Sequence, residues 1–174
     1  MKICIVSDSH DRAQMLANAV QVAKDAGAEA VVHCGDVIGA QTLVPLIEIG
    51  LPVHVIHGNN LGDAMALWKL CKRSEGLINY YGADVNIELG GQKIFATHYP
   101  HYAKGIACLG EFDMVCCGHS HQAVVEKQKT INSGECWLIN PGSVAGLGGA
   151  ATWILADLAN QTFEIRQINS SSVR

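Results

Sequence analysis

The chain has 174 residues, 49% of them hydrophobic and 16% charged, with 12 lysines plus arginines and a formal net charge of −4. That length suits one domain that buries roughly 70% of its unfolded surface, so a single domain over residues 1–174 is expected. No basic stripe is visible, which argues against a nucleic-acid surface held through phosphates. No apolar run approaches the ~20 residues of a bilayer-spanning helix.

Lys2–Val6 (KICIV) reads as a first strand, with the polar run SDSHD at its carboxyl end. Arg12 to Ala26 follows as an amphipathic helix, with Leu16, Ala17, Val20 and Ala23 on one face and Gly27 closing it. Ala30–His33 is a second, fully buried strand ending in CGD at Asp36. Thr42–Ile49 reads as a short helix that tolerates Pro45 in its first turn. Pro52–Ile56 is a third strand ending in HGNN, and Gly62–Lys72 a third helix. Strand and helix alternating at this spacing predict right-handed parallel crossovers. From Asp84 the style changes. Asp84–Leu89 and Gln92–Thr97 form a hairpin across Gly90-Gly91, and a helix around Ala103–Leu109 leads into the strand Met114–Cys117. Val124–Lys129 pairs with Cys136–Ile139, and Thr152–Ala156 with Thr162–Ile168. The second half is therefore mostly antiparallel. The expected fold class is α/β: a four-layer α/β/β/α sandwich of two mixed β-sheets flanked by helices.

The seven cysteines (Cys4, Cys34, Cys71, Cys108, Cys116, Cys117 and Cys136) contain no CxxC pair and sit mostly in apolar runs. With MKICIV read as a strand and not a leader, they suit reduced thiols in a cytoplasmic protein.

Metal-capable side chains recur at the carboxyl ends of these strands. They are Asp8 and His10, then Asp36, Asn59 and His98, and finally His119 and His121 in VCCGHSHQ. That edge is where sites form in open α/β sheets. In extended backbone the i, i+2 spacing of His119 and His121 puts both imidazoles on one side. Each residue alone has a plainer reading: a helix cap for Asp8, turn residues for Asp36 and Asn59, a core histidine for His98. Seven of them at strand ends are hard to obtain from independent plain causes. Mixed imidazole, carboxylate and amide donors without thiolate suit Mn, Fe, Zn, Ni or Co better than Ca.

As an ordered set, SDSH, HCGD, HGNN, TH at 97–98, GHSH and NPGS (Asn140–Ser143) resemble the motifs of the calcineurin-like metallophosphoesterase superfamily, in particular its small single-domain prokaryotic phosphodiesterase branch. The resemblance covers about the whole chain. It implies two divalent metal ions, Mn first, bridged by one carboxylate. Asp8, His10, Asp36 and His121 would hold one ion; Asp36, Asn59, His98 and His119 would hold the other. Asp36, Asn59 and His98 would also be catalytic. The implied activity is phosphodiester hydrolysis by in-line attack of a metal-bridging hydroxide, with monoester hydrolysis as a variant. Two divalent ions, less two carboxylates and one hydroxide, leave about one positive charge for a phosphorylated small-molecule substrate, so no basic patch is needed. Arg12, Asn60 and His101 are the expected substrate contacts, and a homodimer or homotetramer is implied.

The chain departs from the family pattern at two places. Asn60 and Leu61 stand where the family has histidine, or in the small branch cysteine and aspartate. Where histidine is present it is thought to protonate the leaving group, which an asparagine amide cannot do. The segment after His98 reads THYPH where glycine and histidine usually follow, so His101 and His57 are candidate substitute acids. These departures sustain an alternative: a protein-interaction scaffold that keeps the fold and has lost turnover, as the retromer subunit of the superfamily resembles. The NPGS turn is expected to shape the site floor, and Ser143 is not a nucleophile because no base partner is indicated.

Overall fold

In a computed structural model, described over residues 1–168, the chain forms eleven strands and four helices in the order β1 (Lys2–Val6), α1 (Ala13–Asp25), β2 (Ala28–His33), α2 (Val44–Ile49), β3 (Val53–Val55), α3 (Ala64–Arg73), β4 (Ile78–Tyr80), β5 (Asp84–Leu89), β6 (Gln92–Thr97), α4 (Pro100–Leu109), β7 (Met114–Cys116), β8 (Ala123–Lys129), β9 (Glu135–Pro141), β10 (Thr152–Asp157) and β11 (Thr162–Gln167). A single 3-10 turn, Ala40–Leu43, leads into α2. The first sheet has the order β11-β10-β1-β2-β3-β4 and the second β5-β6-β7-β9-β8.

Alternation along the strands builds the layers. In β1, Ile3 and Ile5 face the second sheet and, with Ile154 of the neighbouring β10, cluster with Ile94, Met114 and Ile139. Cys4 and Val6 face the other way, against Leu16 and Val20 of α1 and Leu46 of α2. Beyond the second sheet, Val115, Cys117 and Leu138 pack on Ala103 and Ala107 of α4. Helices, sheet, sheet and helix therefore stack as the four-layer α/β/β/α sandwich with two mixed sheets that the sequence led us to expect.

Three features differ from the sequence reading. β4 was not foreseen: a three-residue strand after Gly76 is too short to show periodicity, and it extends the parallel set by pairing with β3. The expected hairpins form, but at the centre of the second sheet β6, β7 and β9 run parallel, because the β8–β9 hairpin returns the chain beside β7. α4 begins at Pro100, three residues before the expected start; proline loses no helical hydrogen bond in the first turn, where its missing N–H has no partner anyway.

All seven cysteines are free, and five are buried. Burial pushes the thiols of Cys117 and Cys136 up to about 12 and about 11, so they stay protonated and behave as small hydrophobes. Among the described residues no helix is long and apolar enough to cross a membrane.

Candidate metal centre

Asp8 and His10 follow β1, Asp36 follows β2, Asn59 and Asn60 follow β3, His98 follows β6, and His119 and His121 follow β7. The expected donors thus come from the same edge of both sheets. Five of the seven lie in left-handed backbone: Asp8 (φ 54°), His10 (41°), Asp36 (55°), His119 (66°) and His121 (57°). Such conformations are uncommon outside glycine and cost of order 1–3 kcal/mol each, so the surroundings must enforce them.

Those surroundings can be named. The loops after β1 and β2 are joined by bonds from Asp8 N to Gly35 O (3.0 Å) and from His10 N to Asp36 O (3.0 Å). The NPGS segment supports them from below, as expected of it: Ser143 Oγ donates to Asp8 O (3.0 Å) and Val144 N to Ser7 O (3.0 Å). Asn140 Nδ2 donates to Gly118 O (2.7 Å), which pins the GHSH loop. Two glycines mark close approaches. A Cβ on Gly58 would collide with Asp36 Oδ1 and lie 2.7 Å from His98 Nε2; one on Gly118 would collide with Ser7 Oγ and lie 2.7 Å from Asp8 Oδ2.

Inside this frame, lone pairs converge. His98 is buried, and its Nδ1 donates to Cys34 O (2.8 Å), so a neutral ring turns an acceptor, Nε2, inward. That nitrogen lies 3.5 Å from Asp36 Oδ1 and 3.1 Å from Asn59 Oδ1, both acceptors. His121 repeats the pattern: Nδ1 faces Leu147 O at 2.9 Å, leaving Nε2 at 3.2 Å from Asp8 Oδ1. A backbone carbonyl fixing one ring nitrogen while the other points into a site is the usual support of a ligating histidine. His10 Nε2 lies 3.7 Å from both Asp8 Oδ1 and Asp36 Oδ2. Asp8 Oδ1 and His10 Nε2 are buried, and neither has a hydrogen-bond partner among the described residues. Buried polar atoms are almost always satisfied, and a carboxylate ringed by imidazole acceptors is relieved by a cation.

Donor atoms of Asp8, His10 and His121 lie within 4.8 Å of one another, as do those of Asp8, Asp36 and His98. Asp8 falls in both groupings, and Asp36, the carboxylate expected to bridge, lies between one histidine of each expected set, with Oδ2 3.7 Å from His10 Nε2 and Oδ1 3.5 Å from His98 Nε2. Asn59 and the exposed His119 sit beside them, with His119 Nδ1 2.8 Å from Asn59 Oδ1 and His119 N donating to Asp8 Oδ2 (3.0 Å). The donor set therefore fits divalent ions of the Mn, Fe, Zn, Ni or Co type.

The other expected residues divide. Asn60 is in contact with the centre: its Nδ2 donates to Asp36 Oδ2 (2.6 Å) and its backbone N to Asp36 Oδ1 (2.9 Å). Arg12 is exposed at the start of α1, and no ion pair involves it among the described residues. His101 is exposed on α4, its ring 5.5 Å from that of Tyr99 and outside the donor cluster. His57 Nδ1 contacts Tyr80 OH at 2.6 Å, and burial, followed by the charge on His98, lowers its pKa; the neutral ring this favours is a weak proton donor. Sequence reasoning missed Tyr99. Its ring stands edge-on to His98 (5.4 Å) and His119 (5.0 Å) and walls one side of the centre. The signal was the unusual THYPH segment, from which the sequence reading draws His101 as a substitute acid and not Tyr99 as a wall.

A double-sheet sandwich with imidazole and carboxylate donors gathered at one edge is the architecture of the calcineurin-like phosphoesterase fold. The chain belongs to the calcineurin-like phosphoesterase superfamily, whose domain matches residues 1–161. It is 30% identical over 143 residues to phosphodiesterase MJ0936 of Methanocaldococcus jannaschii, covering 78% of this chain and 84% of that protein. The solved structure of a novel archaeal phosphodiesterase superposes with a TM-score of 0.87 at 26% identity, covering 97% of this chain and 100% of that one. Zinc-complexed Vps29 of Entamoeba histolytica superposes at 0.63 with 16% identity, over 97% and 98% of the two chains, and shows the fold alone.

Proposed function

We propose that this chain is a phosphodiesterase that works with two divalent metal ions. Asp8, His10, Asp36, Asn59, His98, His119 and His121 would hold them, with Mn(II) first and Fe, Zn, Ni or Co as alternatives. The observation that carries this reading is the buried Asp8 Oδ1, without a hydrogen-bond partner among the described residues, facing the Nε2 atoms of His10 and His121. When bound, the ions would supply a nucleophile at neutral pH and offset charge on the phosphoryl oxygens. The chain's own residues do the rest. The carbonyls of Cys34 and Leu147 keep the imidazoles of His98 and His121 aimed inward. Arg12, exposed beside the loop after β1, is free to reach an anionic substrate.

No strong acid replaces the family histidine at Asn60, whose amide is occupied with Asp36. Diesters with good leaving groups are therefore the preferred substrates, since departure must proceed without a proton from this position. A series of aryl methyl phosphodiesters tests both parts. Turnover by protein reloaded with Mn(II), its loss in Asp36→Asn, and a steep dependence on leaving-group pKa are expected. No turnover with any of the five metals would favour the scaffold reading. The implied homodimer or homotetramer belongs to the same reading, supported by Met65 and Trp68, which stand 60% and 52% exposed on α3; sedimentation velocity decides it.

A further inference from the structure

Beside the centre, a cavity of about 220 Å³ is lined by Gly58, His98, Tyr99, Thr97, Tyr102 and Asp84. A second, of about 400 Å³, shares Asp84, Thr97 and Tyr102 with it and continues past His101, Phe95 and Ile106 to Gly105. Sharing three residues, the two form one groove that starts at His98 and runs out along α4. Together they fall in the ~300–1,000 Å³ range of small-molecule sites.

We infer that this groove takes a planar aromatic arm of the phosphodiester, a nucleoside or an aryl group; this rests on the phosphodiesterase reading above. Three observations carry it. The first is the ring set. Tyr99 touches both His119 (5.0 Å) and Tyr102 (5.5 Å, interplanar angle 85°), and the His101 ring lies 4.1 Å from that of Tyr102. Aromatic faces thus continue from the metal donors into the groove. Tyr102 is 59% exposed, which leaves ring surface uncovered by the protein itself.

The second is charge. Among the described residues no lysine or arginine lines the groove; its carboxylate is that of Asp84, beside the imidazoles of His57, His98 and His101. Such a lining does not hold a phosphate. It accepts hydrogen bonds from the N–H or hydroxyl groups of a neutral arm while the phosphoryl group stays at the metal donors.

The third is Gly105. It sits inside α4, where glycine is less favourable than alanine. A Cβ there would meet nothing within 4 Å. Among the described residues nothing packs on this position, which lines the groove, so a longer side chain here would project into the groove and obstruct an occupant.

The test compares p-nitrophenyl thymidylate, bis(p-nitrophenyl) phosphate and methyl p-nitrophenyl phosphate, which share one leaving group, with the Mn(II)-loaded wild type, Tyr102→Ala, Gly105→Leu and, as a surface control, Ile131→Ala. A base–aromatic stack corresponds to roughly a tenfold change, so kcat/KM should fall about tenfold in the two groove variants. A fall limited to the thymidylate and bis-aryl esters places the retained arm in the groove; an equal fall on all three places the leaving arm there. The ester with the larger fall separates a nucleoside from an aryl preference. In parallel, thymidine is titrated into the metal-free protein by NMR, and shifts at Tyr99, His101 and Tyr102 that vanish in Tyr102→Ala are expected. Turnover in both groove variants within twofold of wild type on every ester would overturn the inference, as would thymidine shifts away from α4. A protein that turns over no ester but binds thymidine there refutes the phosphodiesterase reading and leaves an aromatic-binding groove.

Discussion

His33 ends β2 and is fully buried without being an expected donor. Its Nδ1 accepts from Gly35 N (3.2 Å), which leaves Nε2–H to donate to Ser9 Oγ (3.0 Å). The neutral ring thereby ties together the two loops that carry Asp8, His10 and Asp36. Burial, and then the charge on His98, lowers its pKa from 6.5 to about 3. Below pH 6.5 the unfolded chain takes up a proton that the folded chain refuses, so stability rises with pH and is lost as pH falls from 6.5 toward about 3. At about pH 4.5, two units below the unfolded value, the loss is about 2.7 kcal/mol, a large share of a typical 5–15 kcal/mol. Urea unfolding of the metal-free protein at about pH 7.5 and about pH 4.5 should show this difference. Gln in place of His33 keeps an acceptor and a donor but does not titrate, so the pH dependence of His33→Gln should be smaller by about 2–3 kcal/mol. Equal pH dependence in the two proteins would refute the reasoning.

Two further outcomes follow from the geometry. Gly58→Ala pushes a methyl against Asp36 and His98; it should lower stability by about 1–3 kcal/mol and turnover by about a hundredfold, checked by urea titration and diester assay. Asn60→His restores a group able to donate a proton, and should flatten the dependence of rate on leaving-group pKa while raising rates on poor leaving groups about tenfold or more.

Much of the fold was legible because the parallel half obeys simple rules. β1, β2 and β3 are short β-branched runs, each followed by a helical pattern and a polar end, and the layers follow from alternation such as Ile3 and Ile5 against Cys4 and Val6. β4 and the parallel pairing of β6, β7 and β9 were not legible, since they depend on how distant segments meet and leave no local period. The donors could be read because their types and order recur as a recognisable set. Their left-handed backbone could not, because Asp and His rarely announce a positive φ as glycine does. Asn60 illustrates the same limit: the sequence says what its amide cannot donate, and only the fold shows that it reaches Asp36.

The central claim is that these donors cage two cations, and the most direct measurement is metal content at saturation. Chelator-stripped protein equilibrated with Mn(II), followed by dialysis and elemental analysis, should carry two ions per chain. Asp8→Asn, which changes the carboxylate common to both groupings, should carry fewer than one. Wild-type protein that retains no metal, or an Asp8→Asn variant that retains as much as wild type, would contradict the account.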